Sequence, residues 1–416
     1  MKSSGFKAFA SALVALAVCV VSSTAFGQGL TTGAIQGQVA DESGKPLAGA
    51  TIEVTDRTNG YVSRATSREN GVYFVPGLNV GTAYTVAARH IGFAAQSRDG
   101  ITVQLSLSTR VDFTLTTAAA QLLAVKVTGS AEQGAFSVDR KGTETIVSDS
   151  LLKRLPNENR SLYDFVRLTP QVAVQPGGVR FSAAGQNNRY NAIQVDGTDM
   201  TDRFGLAASQ EPGGQSGGRA MTLEAVKEYQ VLLSPFDVRQ GNFTGAVVNA
   251  VTQSGTNEFH GTVFYEMRNQ ALAANQPFIR ATNFYRDMFG GSIGGPIVKD
   301  KAHFFLALEF QQAQQGASGP YIGQPSTIVP AINVNQAQVD SFTTALATYH
   351  IPAGSAGPVN NNNPNVNTFA RFDFQLNPSN RLTVRNTYNT SSNDVFSRST
   401  GSFFLTSNLE TQIDHN

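Results

Sequence analysis

The sequence predicts a mainly β chain in three successive parts: a small antiparallel β-sandwich, an α+β domain, and the strands of a transmembrane β-barrel. Three observations predict it. From about Gly33 to Thr117, short alternating runs such as "AIQGQVAD" and "TIEVTD" are separated by turn residues at the regular spacing of a sandwich. From about Glu132 to Ser254 helical and strand patterns mix. From Asn257 onward, strands of about ten residues show one apolar and one charged face, the pattern required where lipid meets one side and a wet lumen the other.

In the sandwich, "ESGKPLAGA" turns the chain between its first two strands, and "SRENGVYFVPGL" contains an Asn-Gly turn before Val72, Phe74 and Leu78. In the middle part, "SDSLLKRLP" offers Ser148 as N-cap, Leu151, Leu152 and Leu155 as an apolar face, and Pro156 as the stop. "RSLYDFVRLTP" repeats this with Leu162, Phe165 and Leu168. "TLEAVKEYQVLL" reads as a helix led by Thr222 that runs into a strand, and "GAVVNAVTQSG" as another strand.

In the last part, Phe304, Leu306, Leu308 and Phe310 share one face of "KAHFFLALEFQ", while His303, Ala307 and Glu309 share the other. Ala370, Phe372, Phe374 and Leu376 likewise oppose Phe369, Arg371, Asp373 and Gln375, and "HGTVFYEMRN" is a less regular strand. Long polar stretches such as "PAGSAGPVNNNNPN" exceed sandwich turns and favour a barrel with outer loops over a soluble sandwich. "GGSIGGP", Gly290 to Pro296, reads as a barrel turn.

At 416 residues the chain exceeds one ordinary core. Its 31 basic and 30 acidic residues give no electrostatic case for a nucleic-acid partner. Lys2 and Lys7 precede an apolar run from Ala8 to Val21, with Ala25 and Gly27 at cleavage spacing, so residues 1–27 read as a signal peptide. The single cysteine, Cys19, lies inside it, leaving the exported part to packing and hydrogen bonds.

Two segments carry functional interest. Between Thr117 and Ser130 the linker "AAAQLLAVKVTGS" holds an extended apolar patch, Leu122 to Val127, which is either a strand for a partner to capture or the first strand of the next domain. The stretch "AAGQNNRYNAIQVDGTDMTDRFG" crowds polar residues around Ile193 and Val195. Its Asp196, Asp199 and Asp202 recur at every third residue but lack the ligand order and following glycine of a calcium loop, so a turn begun by Asp196 and Gly197 is expected there and no metal. The five histidines are scattered singly, and no catalytic grouping, nucleotide loop or cofactor site is expected.

"GQVADESGKPLAGATIEV" and "NGVYFVPGLNVGTAYTV" resemble the carboxypeptidase regulatory-like domain, an immunoglobulin-like sandwich of the carbohydrate-binding-like fold group and not itself a peptidase. With that domain in front, "GQNNRYNAIQVDGTDMTDRFG", "LEAVKEYQVLLSPFDVRQGNFTGAVVNAVTQSGTNEFHGTVFYEMRN" and "GGSIGGPIVKDKAHFFLALEFQ" resemble TonB-dependent outer-membrane receptors, specifically the Oar-like subgroup.

The resemblance implies a signal peptide (1–27), a regulatory-like sandwich (28–117), a linker with a TonB-box-like strand (118–130), a plug (131–254) and barrel strands (255–416). Val125, Lys126, Val127 and Thr128 would contact TonB, although the acid that commonly precedes the box is replaced by Leu123 and Ala124. A plug inside a polar lumen would turn Gln186, Asn187, Asn188, Arg189, Asn191 and Gln194 toward the lumen or neighbouring plug strands and Asp196, Asp199 and Asp202 toward the lumen, with Ile193 and Val195 facing its own sheet.

The implied function is TonB-energised uptake of a small or oligomeric ligand across the outer membrane. The TonB complex of the inner membrane and outer-membrane lipid are the partners, and no cofactor or enzymatic activity is involved. A surface adhesin or carbohydrate-binding protein using the sandwich is the alternative. Family barrels have roughly 22 strands, whereas the residues after Ser254 suffice for about ten. An incomplete barrel, as from a longer protein, is therefore expected.

Overall fold

The computed structural model describes residues 32–105, 108–117, 126–128, 144–157, 159–175, 180–202, 209–233, 241, 243–273, 284–317, 319–324, 334–378, 380–398 and 410–415, with 126–128 and 410–415 described as backbone only. The expected signal peptide, Val125 and most of the linker lie outside these residues.

Two facing sheets form the first domain. One joins β1 (Thr32–Asp41) to β4 (Val72–Asn79), β7 (Ser108–Arg110) and β8 (Phe113–Leu115). The other runs β3 (Val62–Thr66), β2 (Thr51–Asp56), β5 (Ala83–Arg89), β6 (Gln96–Thr102) and β9 (Lys126–Thr128). The alternation in each strand sends Ile35, Val39, Ile52, Val54 and Val86 into a shared core, where each is fully buried. Burial of one such side chain contributes about 1.5–3 kcal/mol. Asn70 and Gly71 make the expected turn, with Gly71 at φ 73°. After it, Tyr73 and Val75 face the core and Val72 and Phe74 face out. The linker segment Lys126–Thr128 pairs parallel to Ser97–Asp99 at the sheet edge, so it completes the first domain rather than starting the next.

The middle domain centres on a five-stranded mixed sheet in the order β10 (Glu144–Ser148), β15 (Val226–Leu232), β16 (Val247–Thr252), β13 (Ala192–Val195) and β14 (Thr198–Asp199). Two short helices, α1 (Asp149–Arg154) and α2 (Leu162–Val166), cover it. Ser148 precedes α1 as expected, but of that helix only Leu152 is buried, and Leu151 is exposed. The carboxylate of Asp164 accepts the backbone N–H of Asn159 and of Ser161, fixing the entry of α2. The helix expected after Thr222 is one 3-10 turn, Leu223–Ala225, because Val226, Tyr229 and Val231 join a central strand paired on both sides.

A seven-stranded, wholly antiparallel sheet forms the third part: β17 (His260–Asn269), β18 (Phe284–Val298), β19 (Ala302–Gly316), β21 (Asn365–Asn377), β22 (Asn380–Val395) and β23 (Glu410–His415), with β20 (Asn360–Asn362) also on β19. It does not close on itself among the described residues. Leu306, Leu308 and Phe310 point outward while His303, Phe305, Ala307, Glu309 and Gln311 point toward the middle domain, the two faces expected of β19. Among the described residues no helix is long and apolar enough to cross a membrane, a statement that does not bear on strands.

Connections at one end of this sheet are short, from Val298 to Ala302 and from Asn377 to Asn380; those at the other end are long, and one carries α3 (Gln336–Thr348). The first domain sits at the short-turn end. Tyr61 donates to the Asp373 carbonyl at 3.1 Å, His303 Nδ1 lies 2.9 Å from the Tyr61 hydroxyl, the Asn257 amide donates to the Thr58 carbonyl at 2.8 Å, and Arg381 donates to the Gly77 carbonyl at 3.2 Å.

"GGSIGGP" is not a turn; it lies within β18. Its glycines make room for aromatic rings from the flanking strands. A Cβ at Gly294 would stand 2.8 Å from the Phe305 ring and 3.0 Å from that of His260, and one at Gly295 would stand 2.4 Å from the Phe259 ring. Gly294→Val is expected to destabilise the sheet by about 1–3 kcal/mol through overpacking, read as a lowered urea midpoint of the refolded chain.

Candidate functional site

Where the middle domain meets the inner face of the seven-stranded sheet, the contact is built mainly from ion pairs and hydrogen bonds. Arg160, in the bend before α2 with φ 51°, is 6% exposed and reaches three carboxylates: Glu224 at 2.7 Å, Glu266 at 2.9 Å and Glu309 at 3.5 Å. Its guanidinium lies 3.7 Å from the centre of the Phe264 ring. Arg219 adds bonds of 3.2 Å to Glu309 and 3.0 Å to Gln311, and the Thr222 hydroxyl donates to Glu309 at 3.1 Å. Glu309, 1% exposed on β19, is thus held by two arginines and a hydroxyl. That set compensates a buried charge which alone would cost several kcal/mol.

A second group joins the middle domain to β21 and β22. Arg371 makes paired bonds of 2.8 and 3.1 Å to Asp373 and donates to the Thr252 hydroxyl at 2.8 Å. Arg385 pairs with Asp196 and Thr198. Nearer the long loops, the Ser216 and Ser391 hydroxyls are 2.6 Å apart, and Asn363 and Asn365 donate to the carbonyls of Ser216 and Gly217. The inner face also has an apolar patch. Phe305, Ala307 and Phe369 pack into the middle-domain core with Ile193 and Val195, so this contact is mixed where a wholly polar one was expected.

The polar stretch around Gln186 divides among several roles. Of its nine candidates, Asp196 bonds to the wall sheet through Arg385 and also accepts from the Thr252 amide at 2.9 Å. Asn191 turns inward: its side chain donates to the Phe181 carbonyl and accepts from the Ala246 amide, both at 2.9 Å, because backbone groups between two loops need a bridge there. Gln194, 8% exposed, is likewise buried in the sheet, on a strand whose four residues are all buried. Gln186, Asn187 and Arg189 are exposed and Asn188 is half-buried. Asn187 accepts from the Arg189 amide to cap a 3-10 turn. Asp199 accepts from the Thr201 amide, and the Asp202 amide donates to the Gln210 carbonyl. Asp196 and Gly197, at φ 47° and 72°, form the expected turn as a two-residue hairpin loop.

Glu309 stands on the inward face expected from the sequence, whereas Arg160, Arg219, Glu224 and Glu266 were not among the residues the sequence singled out. The available signal was a charge set at an inward position between apolar outward ones, as Glu309 stands between Leu308 and Phe310.

Two family models match parts of the chain. Residues 34–116 match the carboxypeptidase regulatory-like domain and residues 251–416 an outer membrane β-barrel domain. The sequence is 28% identical over 312 residues to the TonB-dependent transporter Oar of Myxococcus xanthus, covering 70% of this chain and 28% of that protein. It is 28% identical over 180 residues to the probable TonB-dependent siderophore receptor PirA of Acinetobacter baumannii, covering 39% of this chain and 22% of that one. The chain therefore spans about a quarter of the length of these relatives. The outer-membrane transporter YddB of Escherichia coli aligns with a TM-score of 0.43 at 14% identity, over 61% of this chain and 34% of that one. The resemblance to TonB-dependent outer-membrane receptors of the Oar-like kind is borne out by the two family models and the sequence relatives, and the outer membrane is the protein's location.

Proposed function

We propose that the chain is part of an outer-membrane receptor that takes up a ligand with energy from TonB, the middle domain serving as a plug and the seven-stranded sheet as part of the barrel around it. One observation carries this reading. The sheet bares Val263, Phe289, Ile293, Leu306, Leu308, Leu382 and Val384 on one face, while its other face engages the middle domain through charges and amides. Hydrocarbon on one side and a filled polar lumen on the other account for both faces. Short turns of such barrels lie on the periplasmic side and long loops outside, which puts the regulatory-like sandwich in the periplasm.

The TonB strand would come from Val125 to Thr128. Lys126–Thr128 already pair with β6, and β9 ends the sheet order, so TonB would add to the outer edge of β9 rather than meet a bare linker. Ligand binding on the outer side would shift the population in which that edge is reachable. Chemistry on the ligand forms no part of this reading.

Expressed in a Gram-negative host, the protein is expected to sediment with outer-membrane lipid and to resist extraction by carbonate. Deletion of Val125 to Thr128 is expected to abolish capture by a TonB periplasmic domain without changing that sedimentation. A freely dissolved periplasmic product would overturn the membrane reading, and unchanged capture after the deletion would overturn the TonB assignment.

A further inference from the structure

A cavity of about 220 Å³ opens where the sandwich, the middle domain and the inner face of β21 and β22 meet, and its charge is unbalanced. Lys227, Arg371, Arg381 and Arg385 line it, and Asp196 is the carboxylate among the lining residues. Asp373, behind Arg371, is the second acid in contact with this group. Arg371 and Arg385 are taken by these two carboxylates. Arg381 makes one bond to the neutral Gly77 carbonyl. The Lys227 ammonium, reaching under the turn at Gly81, has no hydrogen bond or ion pair among the described residues; Asp56, Glu228 and Asp149 act on it from beyond ion-pair distance. Two cations are thus left without an acid, in a recess whose walls focus their field.

We propose that this cavity binds a small divalent oxyanion of the phosphate class, held by Lys227 and Arg381. This assignment is independent of the transport reading. At about 30 Å³ per water, the space accommodates such an ion with part of its hydration. Arg381 stands on the inner face of β22 and Lys227 on β15 of the middle domain, whereas Leu382 and Val384 are exposed on the other face of β22. A free ion therefore fits and a bilayer headgroup does not. Burial lowers the pKa of the Lys227 amine, and a bound dianion would raise it again. Because the cavity touches all three parts of the chain, the ion would also fasten the sandwich to the other two.

The test is calorimetric titration of the full chain, refolded in detergent, with inorganic phosphate at low ionic strength. One saturable site per chain is expected. Its affinity should fall about tenfold or more in Lys227→Met and in Arg381→Gln, as for loss of a charge-assisted hydrogen bond. Micelles containing phosphatidylglycerol should not compete. Absence of a saturable heat, or equal affinity in the folded variants, would overturn the proposal, and competition by the lipid would reassign the site to a headgroup. If Lys227→Met does not fold, Arg381→Gln, at a half-buried position, decides the matter.

Discussion

Replacing Arg160 by methionine is expected to lower the stability of the refolded chain by about 3 kcal/mol. The side chain is almost wholly buried, bridges Glu224, Glu266 and Glu309, and lies over the Phe264 ring. Methionine keeps most of the volume, so the loss reports charge and hydrogen bonding rather than a cavity. The expected figure is at the low end for a broken buried pair because Arg219 still holds Glu309 at 3.2 Å. Arg160→Lys should recover little, since one ammonium cannot span three carboxylates in the fork geometry of a guanidinium. Adding Glu309→Gln to Arg160→Met should restore part of the loss by removing the excess buried charge. The measurement is urea unfolding in detergent, and a change below about 0.5 kcal/mol would show that the network contributes nothing net.

Glu228 gives the second large effect, and its sign is opposite to that of an ordinary ion-paired carboxylate. It is 5% exposed on β15, and one of its carboxylate oxygens is buried without a hydrogen-bond partner. Burial pushes its pKa up to about 7, with Glu144 adding repulsion and Lys227 opposing the rise. A carboxyl whose pKa is higher folded than unfolded favours the folded state at low pH. That advantage is complete below the usual carboxylate range and is lost as pH rises through about 7. The difference between the two plateaus is roughly 3 kcal/mol. Glu228→Gln should abolish this pH dependence and leave the variant the more stable protein at pH 8. A wild-type profile that is flat over the same range would show that Glu228 ionises in the fold without cost.

Alternation made the faces of β19 and β21 readable from sequence, because a period of two assigns each side chain to a face without knowledge of its neighbours. The partners of the inward charges were not readable. Arg160 and Glu266 are 106 positions apart and Arg219 and Glu309 are 90 apart, so only the wrapping of one part around another brings them together. Around Gln186 the polarity was visible, and so was the Asp196–Gly197 turn, but the individual partners were not. Asn187 caps a turn, Asn191 bridges loops and the Asp196–Gly197 pair makes a hairpin, so local backbone chemistry accounts for much of what suggested an interface. The glycines of β18 misled for a related reason. Glycine marks turns, but it also marks places where neighbouring rings cross a strand. The loop helix α3 was missed, although Asn335 and Gln338 form a reciprocal capping pair at the spacing that announces a helix start.

The docking of the sandwich through Tyr61, His303 and Arg381 determines how a mechanical load would travel. Tension on β9 would enter the sandwich at its edge and pass into the rim of the sheet, while the chain beyond Thr128 leads separately to β10 of the middle domain. Three short backbone pairings and a few side-chain bonds lie in series along that route, and the weakest of them yields first. The first displacement under traction would therefore be the tilting or detachment of the sandwich, with the middle domain still seated.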